Sequence, residues 1–246
     1  MEEAKQHYLC RQGLALDPTW RQPTPATEGS KSLIYTDMQF DTAFADCEQM
    51  FTDGGCTKEF HPKLNRASWS AVVINKEGEY LAACAGPVWA HLPQTSPAGE
   101  YCGLAAACQT ARGIAKELIA DYIGVVKAIT KVIDNNIQGS AKKVGIPLRR
   151  GSSMYTGILR EAFAEKGAAL LHKATHVRSH QADDGELPPD ISDQDKMAIL
   201  GNRAADDVAT EALADHPKLD TVEFNKSRKH FYMAKNVCYL AALALP

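Results

Sequence analysis

The chain has 246 residues, 45% of them hydrophobic and 23% charged, with a formal net charge of −3, as is usual for a globular protein. The negative balance excludes a surface that is basic throughout, so any nucleic-acid-binding surface must be a local patch. The seven cysteines include no CxxC pair, the start of the chain does not resemble a signal peptide, and the apolar tail is too short to span a bilayer. These features predict an intracellular protein, cytoplasmic or nuclear, with no membrane partner.

The first half of the chain predicts an irregular leader followed by three strands. Residues 1–45 are expected to be an N-terminal extension or linker, since their first part is polar and contains Pro23 and Pro25. Three β-forming runs then occupy residues 49–53, 68–75 and 79–89, separated by a Gly54-Gly55 turn with its loop and by a Glu77-Gly78 turn. These runs predict an antiparallel meander.

The second half alternates helices and strands. Helices are predicted at 99–115, at 123–135 from apolar spacing, and at 153–167, where Gly167 closes the helix. Further helices are predicted at 194–214, with a break near Gly201, and at 226–245. Strands are predicted at 117–122 and 169–180.

The order of these elements predicts an α/β fold: a mixed five-stranded sheet, three antiparallel strands followed by parallel strands, flanked by helices. The fold is expected to occupy residues 46–216, and residues 217–246 to form a C-terminal helical extension.

Four acidic residues and one histidine are candidates for chemistry, although each has an ordinary structural explanation. Asp53 could belong to a simple turn, Glu100 could be a first-turn acid favoured by the helix dipole, and Asp121 could be a helix N-cap. Asp206 shares an edge of an apolar helical seam with Asn202, whereas the neighbouring Asp207 is expected to face solvent. A lone histidine such as His180 is usually a surface residue.

The local contexts of these residues together carry a family resemblance. Thr52-Asp53-Gly54 follows a β run, Trp69-Ser70-Ala71 lies in the next one, and Thr95 lies five residues before Glu100. Asp121 lies between a strand and a helix, His180 follows a strand, and Asn202 precedes Asp206 by four. Over residues 48–215 the sequence resembles the ribonuclease H family, most of all the ribonuclease H domains of non-LTR retrotransposon polyproteins.

The resemblance implies a ribonuclease H-like fold and an endonuclease that cuts the RNA strand of RNA–DNA hybrids. Asp53, Glu100, Asp121 and Asp206 would bind two Mg²⁺ ions, for which Mn²⁺ could substitute, and His180 would act as a general acid–base. A reverse transcriptase in the same polyprotein is a possible partner. Two alternatives stay open: a catalytically decayed hybrid-binding domain, and a nuclease of the same superfamily that acts on DNA.

Nucleic-acid contacts are expected from three places. Thr95 and Ser96 match a position that contacts the nucleic-acid backbone in the family, and Asn202 is a further candidate. The loop at 138–152 contains four cations and no acid: Lys142, Lys143, Arg149 and Arg150. It is either a solvated charged loop or, as the resemblance implies from a basic protrusion at this position in several relatives, a grip on the substrate. The sequence departs from the family pattern at Pro97, Ala120 and Arg203.

Overall fold

In a computed structural model of the chain, the structure describes residues 31–34, 40–60, 64–137, 155–178, 187, 191–218 and 220–244. These residues belong to two units. One, the sheet unit, comprises Pro25–Thr57 and Arg66–His216; the other includes Lys58–Asn65 and Pro217–Pro246. No helix within the described residues is both long enough and apolar enough to cross a bilayer.

The sheet unit is built on one mixed sheet. Its strands are β1 (Lys31–Ile34), β2 (Gln49–Asp53), β3 (Ser68–Ile74), β4 (Tyr80–Pro87), β5 (Lys116–Ala120) and β6 (Leu171–His176). They are ordered β1-β4-β3-β2-β5-β6. The pairs β1–β4, β4–β3 and β3–β2 are antiparallel, while β2–β5 and β5–β6 are parallel. The predicted five-stranded mixed sheet is therefore confirmed as β2 to β6, and β1 adds a sixth strand at its edge.

Among the described residues, five helices of the sheet unit cover both faces of the sheet, and a sixth helix belongs to the other unit. They are α1 (Phe40–Asp46), α2 (Ser96–Thr110), α3 (Ile123–Ile137), α4 (Thr156–Ala164), α5 (Asp193–Ala212) and α6 (Thr221–Ala244), with short 3₁₀ helices at Lys166–Leu170 and Leu213–Asp215. Apolar side chains of α2, α3 and α4 form one core layer, and those of α5 form the other. Successive side chains of β2 point to opposite faces of the sheet, so Met50 packs in the first core layer and Phe51 in the second.

Two predictions about glycine were wrong. Gly201 does not break α5: it lies within the helix against the ring of Phe51, and a Cβ at this position would overlap that ring. Gly167 does not close a helix in a left-handed conformation but lies within a 3₁₀ helix, where a Cβ would overlap the carbonyl oxygen of Cys108. Both glycines are explained by close approach between elements, which sequence spacing alone does not reveal.

The segment assigned to the N-terminal extension contains ordered structure next to the sheet. β1 pairs with β4, and the chain after α1 is held by a buried lysine. Lys116 is fully buried, and its Nζ donates hydrogen bonds to the carbonyl oxygens of Ala45 (3.0 Å) and Cys47 (2.7 Å). These bonds attach the C-terminal end of α1 to β5, because cations stabilise the exposed carbonyls of a helix end.

Candidate active site

Two glycines bring the first turn of α2 onto the end of β2. A Cβ on Gly54 would overlap the backbone nitrogen of Glu100, and a Cβ on Gly99 would overlap the carbonyl oxygen of Ser68. One turn further along α2, a Cβ on Gly103 would lie 2.7 Å from the carbonyl oxygen of Ser70. The absence of side chains at these positions allows backbone to approach backbone, which places Glu100 beside Asp53.

Two buried serines on β3 hold α5 against the other face. The Ser70 hydroxyl donates a 2.7 Å hydrogen bond to the carbonyl oxygen of Ala205, and the Ser68 hydroxyl donates to that of Ala209. Ser70 is also the register partner of Asp53 across the β2–β3 pair. The residue after Ala205 is Asp206, so the same contact that fixes α5 brings Asp206 near the end of β2.

Asp121 directly follows β5, whose register pairs Ala120 with Thr52 on one side and His176 on the other. Its carbonyl oxygen lies 2.8 Å from Nε2 of His176. The next carbonyl oxygen, that of Tyr122, accepts the first backbone hydrogen bonds of α3. Tyr122 thus directly precedes α3, and the end of β5 holds Asp121 at the same sheet edge as Asp53.

Three of the four predicted carboxylates converge. Asp53, Glu100 and Asp121 each offer one oxygen atom, and these atoms all lie within 4.8 Å of one another. Within the part of the chain that the structure describes, this is the one group of three or more acidic, histidine or cysteine side chains close enough to share a metal ion. Asp206 is outside this group, but it is half-buried and its charge acts on Asp53.

Crowding of the carboxylates alters their protonation. Burial, the charge of Asp121 and, more weakly, that of Asp206 raise the pKa of Asp53 to about 7, although a hydrogen bond from Glu100 opposes the rise. Burial and the charges of Asp53 and Asp121 raise the pKa of Glu100 well above its ordinary value. A bound cation would reverse these shifts by stabilising the ionised carboxylates.

The donor set fits a hard divalent cation. All ligand atoms are carboxylate oxygens, which suit Mg²⁺ and Mn²⁺ rather than metals that favour sulfur or imidazole. Glu100 is only 2% exposed, and its Oε2 has no hydrogen-bond partner among the described residues. A buried carboxylate oxygen without a donor is costly, so this atom is suited to direct coordination of a metal.

Two of the predicted contact residues lie at the N-terminus of α2, beside a cluster of three tyrosines that the sequence patterns did not indicate. Thr95 is the N-cap of α2, and Ser96 is its first residue; both are half-buried. The Thr95 hydroxyl lies 3.4 Å from the hydroxyl of Tyr155, whose ring stacks on Tyr101 at 4.6 Å between centroids. Tyr122 meets Tyr101 edge-on. The position of Tyr122, directly after Asp121, was the sequence signal that could have indicated this cluster.

The α5 candidates differ in exposure. Asn202 is buried, and its Oδ1 has no hydrogen-bond partner within the described residues. Asp207 is exposed, unlike Asp206. Arg203 is also exposed, and its charge acts on Asp207. Arg203, a departure from the family pattern, therefore faces solvent.

Five predicted site residues lie outside the described residues. They are His180 and the four cations of the predicted basic loop, Lys142, Lys143, Arg149 and Arg150.

No protein-family model and no curated protein matches this sequence. Solved structures that it resembles include ribonuclease H domains at low identity. The PFV RNase H domain is 22% identical with a TM-score of 0.44, over 68% of this chain and 94% of that one. RNase H1 from the archaeon Halobacterium salinarum is 18% identical with a TM-score of 0.40, over 68% and 97%. LC11-RNase H1, solved with an RNA/DNA hybrid, is 15% identical with a TM-score of 0.39, over 68% and 96%.

Proposed function

We propose that this chain is a metal-dependent endonuclease that hydrolyses the RNA strand of RNA–DNA hybrids. One observation carries the proposal: carboxylates from β2, α2 and the end of β5 meet within 4.8 Å at one edge of the mixed sheet. They are the acids that the sequence resemblance to ribonuclease H selects. Acidic side chains from separate elements are brought together at a cost in charge repulsion, which binding of divalent cations would offset.

In this proposal, two Mg²⁺ ions, replaceable by Mn²⁺, are held by Asp53, Glu100, Asp121 and Asp206. When bound, such a pair supplies an activated water and stabilisation of the leaving oxygen. The protein contributes the geometry: the Gly54–Gly99 approach fixes Glu100 beside Asp53, and the Ser70 hydroxyl holds the α5 backbone beside Asp206.

The remaining roles rest on the sequence. His180 is proposed to donate a proton to the leaving 3′ oxygen, since an imidazole titrates near neutral pH. Thr95, Ser96 and Asn202 are proposed to contact the nucleic-acid strands, with selectivity from 2′-hydroxyls and backbone shape rather than from base sequence. Lys142, Lys143, Arg149 and Arg150 are proposed to grip phosphates.

The biological setting is likewise a proposal from the resemblance. The chain would be intracellular and would act either alone or as part of a non-LTR retrotransposon polyprotein that includes a reverse transcriptase. Residues 46–216 would be the catalytic domain, between an N-terminal extension and a C-terminal helical extension.

Cleavage of a hybrid with a labelled RNA strand, with and without Mg²⁺, tests the proposed activity. We expect cleavage that requires Mg²⁺ or Mn²⁺, with little action on duplex DNA of the same sequence. Binding of the hybrid without cleavage at any metal concentration would favour a decayed binding domain. Preferential cleavage of duplex DNA would favour a different nuclease of the superfamily.

A further inference from the structure

Helix α6 has one face that is fixed by aromatic contacts. The ring of Phe60, in the loop after β2, lies 5.3 Å from the ring of Phe224 and 5.3 Å from that of Phe231, between centroids. Phe224 and Phe231 are two turns apart, so they mark one side of the helix. The ring of Tyr232 lies 6.3 Å from that of Phe60 as well, so the loop covers part of this side of α6.

Beside these aromatic contacts, α6 presents an exposed stripe of cations, tyrosines and amides. We define the α6 stripe as six residues that recur at helical spacing and are all exposed: Asn225, Arg228, Tyr232, Lys235, Asn236 and Tyr239. Tyr232 is 45% exposed and Tyr239 is 65% exposed. Large aromatic side chains with this much open surface, spaced between cations, need an explanation other than packing of the core.

The local charge points to an anionic partner. Residues 217–246 contain five Lys and Arg against two Asp and Glu, whereas the whole chain has 27 against 30. Neither of those two acids belongs to the α6 stripe. A positive strip on an otherwise negative protein would attract a polyanion and would be weakened by salt.

We propose that the α6 stripe binds single-stranded nucleic acid. Arg228 and Lys235 would contact phosphates, and Tyr232 and Tyr239 would stack on bases, which is possible only where the bases are unpaired. Asn225 and Asn236 can donate to and accept from sugars and base edges. The site is additional to the proposed hydrolysis and does not require it.

An anionic membrane is the main competitor for a basic helix, and the arrangement of side chains on α6 disfavours it. A helix that lies on a membrane inserts an apolar face opposite its cations. On α6, Arg228 and Lys235 lie one turn after Phe224 and Phe231, which contact Phe60, so the cations are not opposite these rings. The exposed large aliphatic side chains of α6, Val222, Leu240 and Leu243, lie at the two ends of the helix. The exposed stripe itself contains amides and phenols, groups that suit nucleic acid better than lipid tails.

Binding of short labelled RNA and DNA single strands by the full chain tests the site, with EDTA present so that cleavage does not interfere. The charge variant is Arg228→Gln with Lys235→Gln, and the stacking variant is Tyr239→Ser. The matched control is Lys218→Gln with Lys226→Gln, because it removes two exposed positive charges from the same region but outside the stripe.

We expect the charge variant to lower the slope of log K against log salt by about 1.4, since each phosphate contact on a single strand contributes about 0.7. Tyr239→Ser should weaken binding about fivefold or more with the slope unchanged, the lower end of the effect of one stacked base. The control should change the slope by less than half as much as the charge variant. Circular dichroism of each variant checks that helix content is retained.

Three results would overturn the proposal. One is an equal loss in the control and charge variants, which would indicate only general attraction to positive charge. Another is unchanged single-strand binding in both stripe variants. The third is binding to phosphatidylserine-containing vesicles that the stripe variants abolish while single-strand binding persists, which would assign the stripe to a membrane. Absence of hybrid cleavage would contradict the proposed hydrolysis and leave this site unaffected.

Discussion

Buried carboxylates lie near both ends of β5, and their surroundings differ. Near its start, Glu117 is close to donors: Nζ of Lys173 at 2.8 Å, Nε2 of Gln49 at 3.1 Å and the hydroxyl of Thr175. Burial raises the pKa of Glu117, but these donors outweigh it and hold the pKa below its ordinary value. At the other end, Asp53, Glu100 and Asp121 are close to one another, and the pKa values of Asp53 and Glu100 are raised.

This contrast separates a structural acid from a ligand set. In the folded protein, Glu117 accepts hydrogen bonds from Gln49 on β2 and from Lys173 and Thr175 on β6, so it stabilises the pairing of β5 with both strands. The carboxylates at the end of β2 repel one another, so they destabilise the metal-free fold and gain from a cation. Charged groups that lower the stability of the fold are concentrated at functional sites.

The largest expected effect is on cleavage. Asp53→Asn keeps the side-chain volume but removes a charge from the shared site, so we expect activity on the hybrid to fall at least about 100-fold, on the scale of several kcal/mol of lost metal stabilisation. The fold should be retained, as measured by circular dichroism. Asp207→Asn is the control, since Asp207 is exposed, and it should be nearly silent. Equal losses in Asp206→Asn and Asp207→Asn would mean that the choice between them is wrong.

The second effect concerns a group that is not proposed as a ligand. His180→Ala should slow turnover about 100-fold, the usual scale for one general acid–base group. Because only the carboxylates bind metal in this proposal, the Mg²⁺ concentration for half-maximal activity should stay the same. A marked rise in that concentration would make His180 part of the metal site.

A pair of matched substitutions tests the contrast in stability. In EDTA at pH 8, Glu100→Gln should raise the free energy of unfolding, on the order of 1 kcal/mol, because it removes like-charge repulsion. Glu117→Gln should lower it by about 1 kcal/mol or more, because it weakens charge-assisted hydrogen bonds. Urea denaturation measures both. The same sign for the two changes would remove the distinction between the two ends of β5.

The raised pKa values also predict a pH dependence. The pKa of Asp53 in the metal-free fold is about 7, against an ordinary value of 3.8, so the folded state holds a proton that the unfolded state has lost. This contribution to stability is complete below about pH 4 and disappears as the pH rises through 7. The rise in Tm on adding Mg²⁺ should therefore grow between pH 5 and pH 8. A constant rise across this range would contradict the shift.

The sheet and the three acids that converge at the end of β2 could be picked out because their sequence signals are local. The runs that became β2, β3 and β4 are rich in β-forming residues, and the Thr52-Asp53-Gly54 and Asn202–Asp206 patterns can be read over a few positions. Asp53, Glu100 and Asp121 each lie at the end of a predicted element or near its start. The convergence of these three follows once the strands are ordered.

The missed features depend on contacts between distant residues. β1 and α1 are held by β4 and by Lys116, about 70 residues further along the chain from Ala45, and no local pattern marks them. Gly201 resembled a helix break because the sequence shows a missing side chain but not the ring of Phe51 beside it. The tyrosine cluster likewise joins Tyr101 to Tyr155, which are far apart in sequence.

The smallest expected effect isolates the ion pair of Glu117. The side chain of Lys173 is half exposed, so its bond to Glu117 is screened by solvent and should contribute less than about 1 kcal/mol. Lys173→Met should lower the free energy of unfolding by that amount, and the loss should shrink in 1 M NaCl. Lys131→Met on α3, at an exposed position, is the control and should have almost no effect. In a Glu117→Gln background the Lys173→Met effect should nearly vanish, because the cation has then lost its charged partner. An undiminished effect in that background would mean that Lys173 stabilises β6 by packing, and that Gln49 and Thr175 supply most of what holds Glu117 ionised.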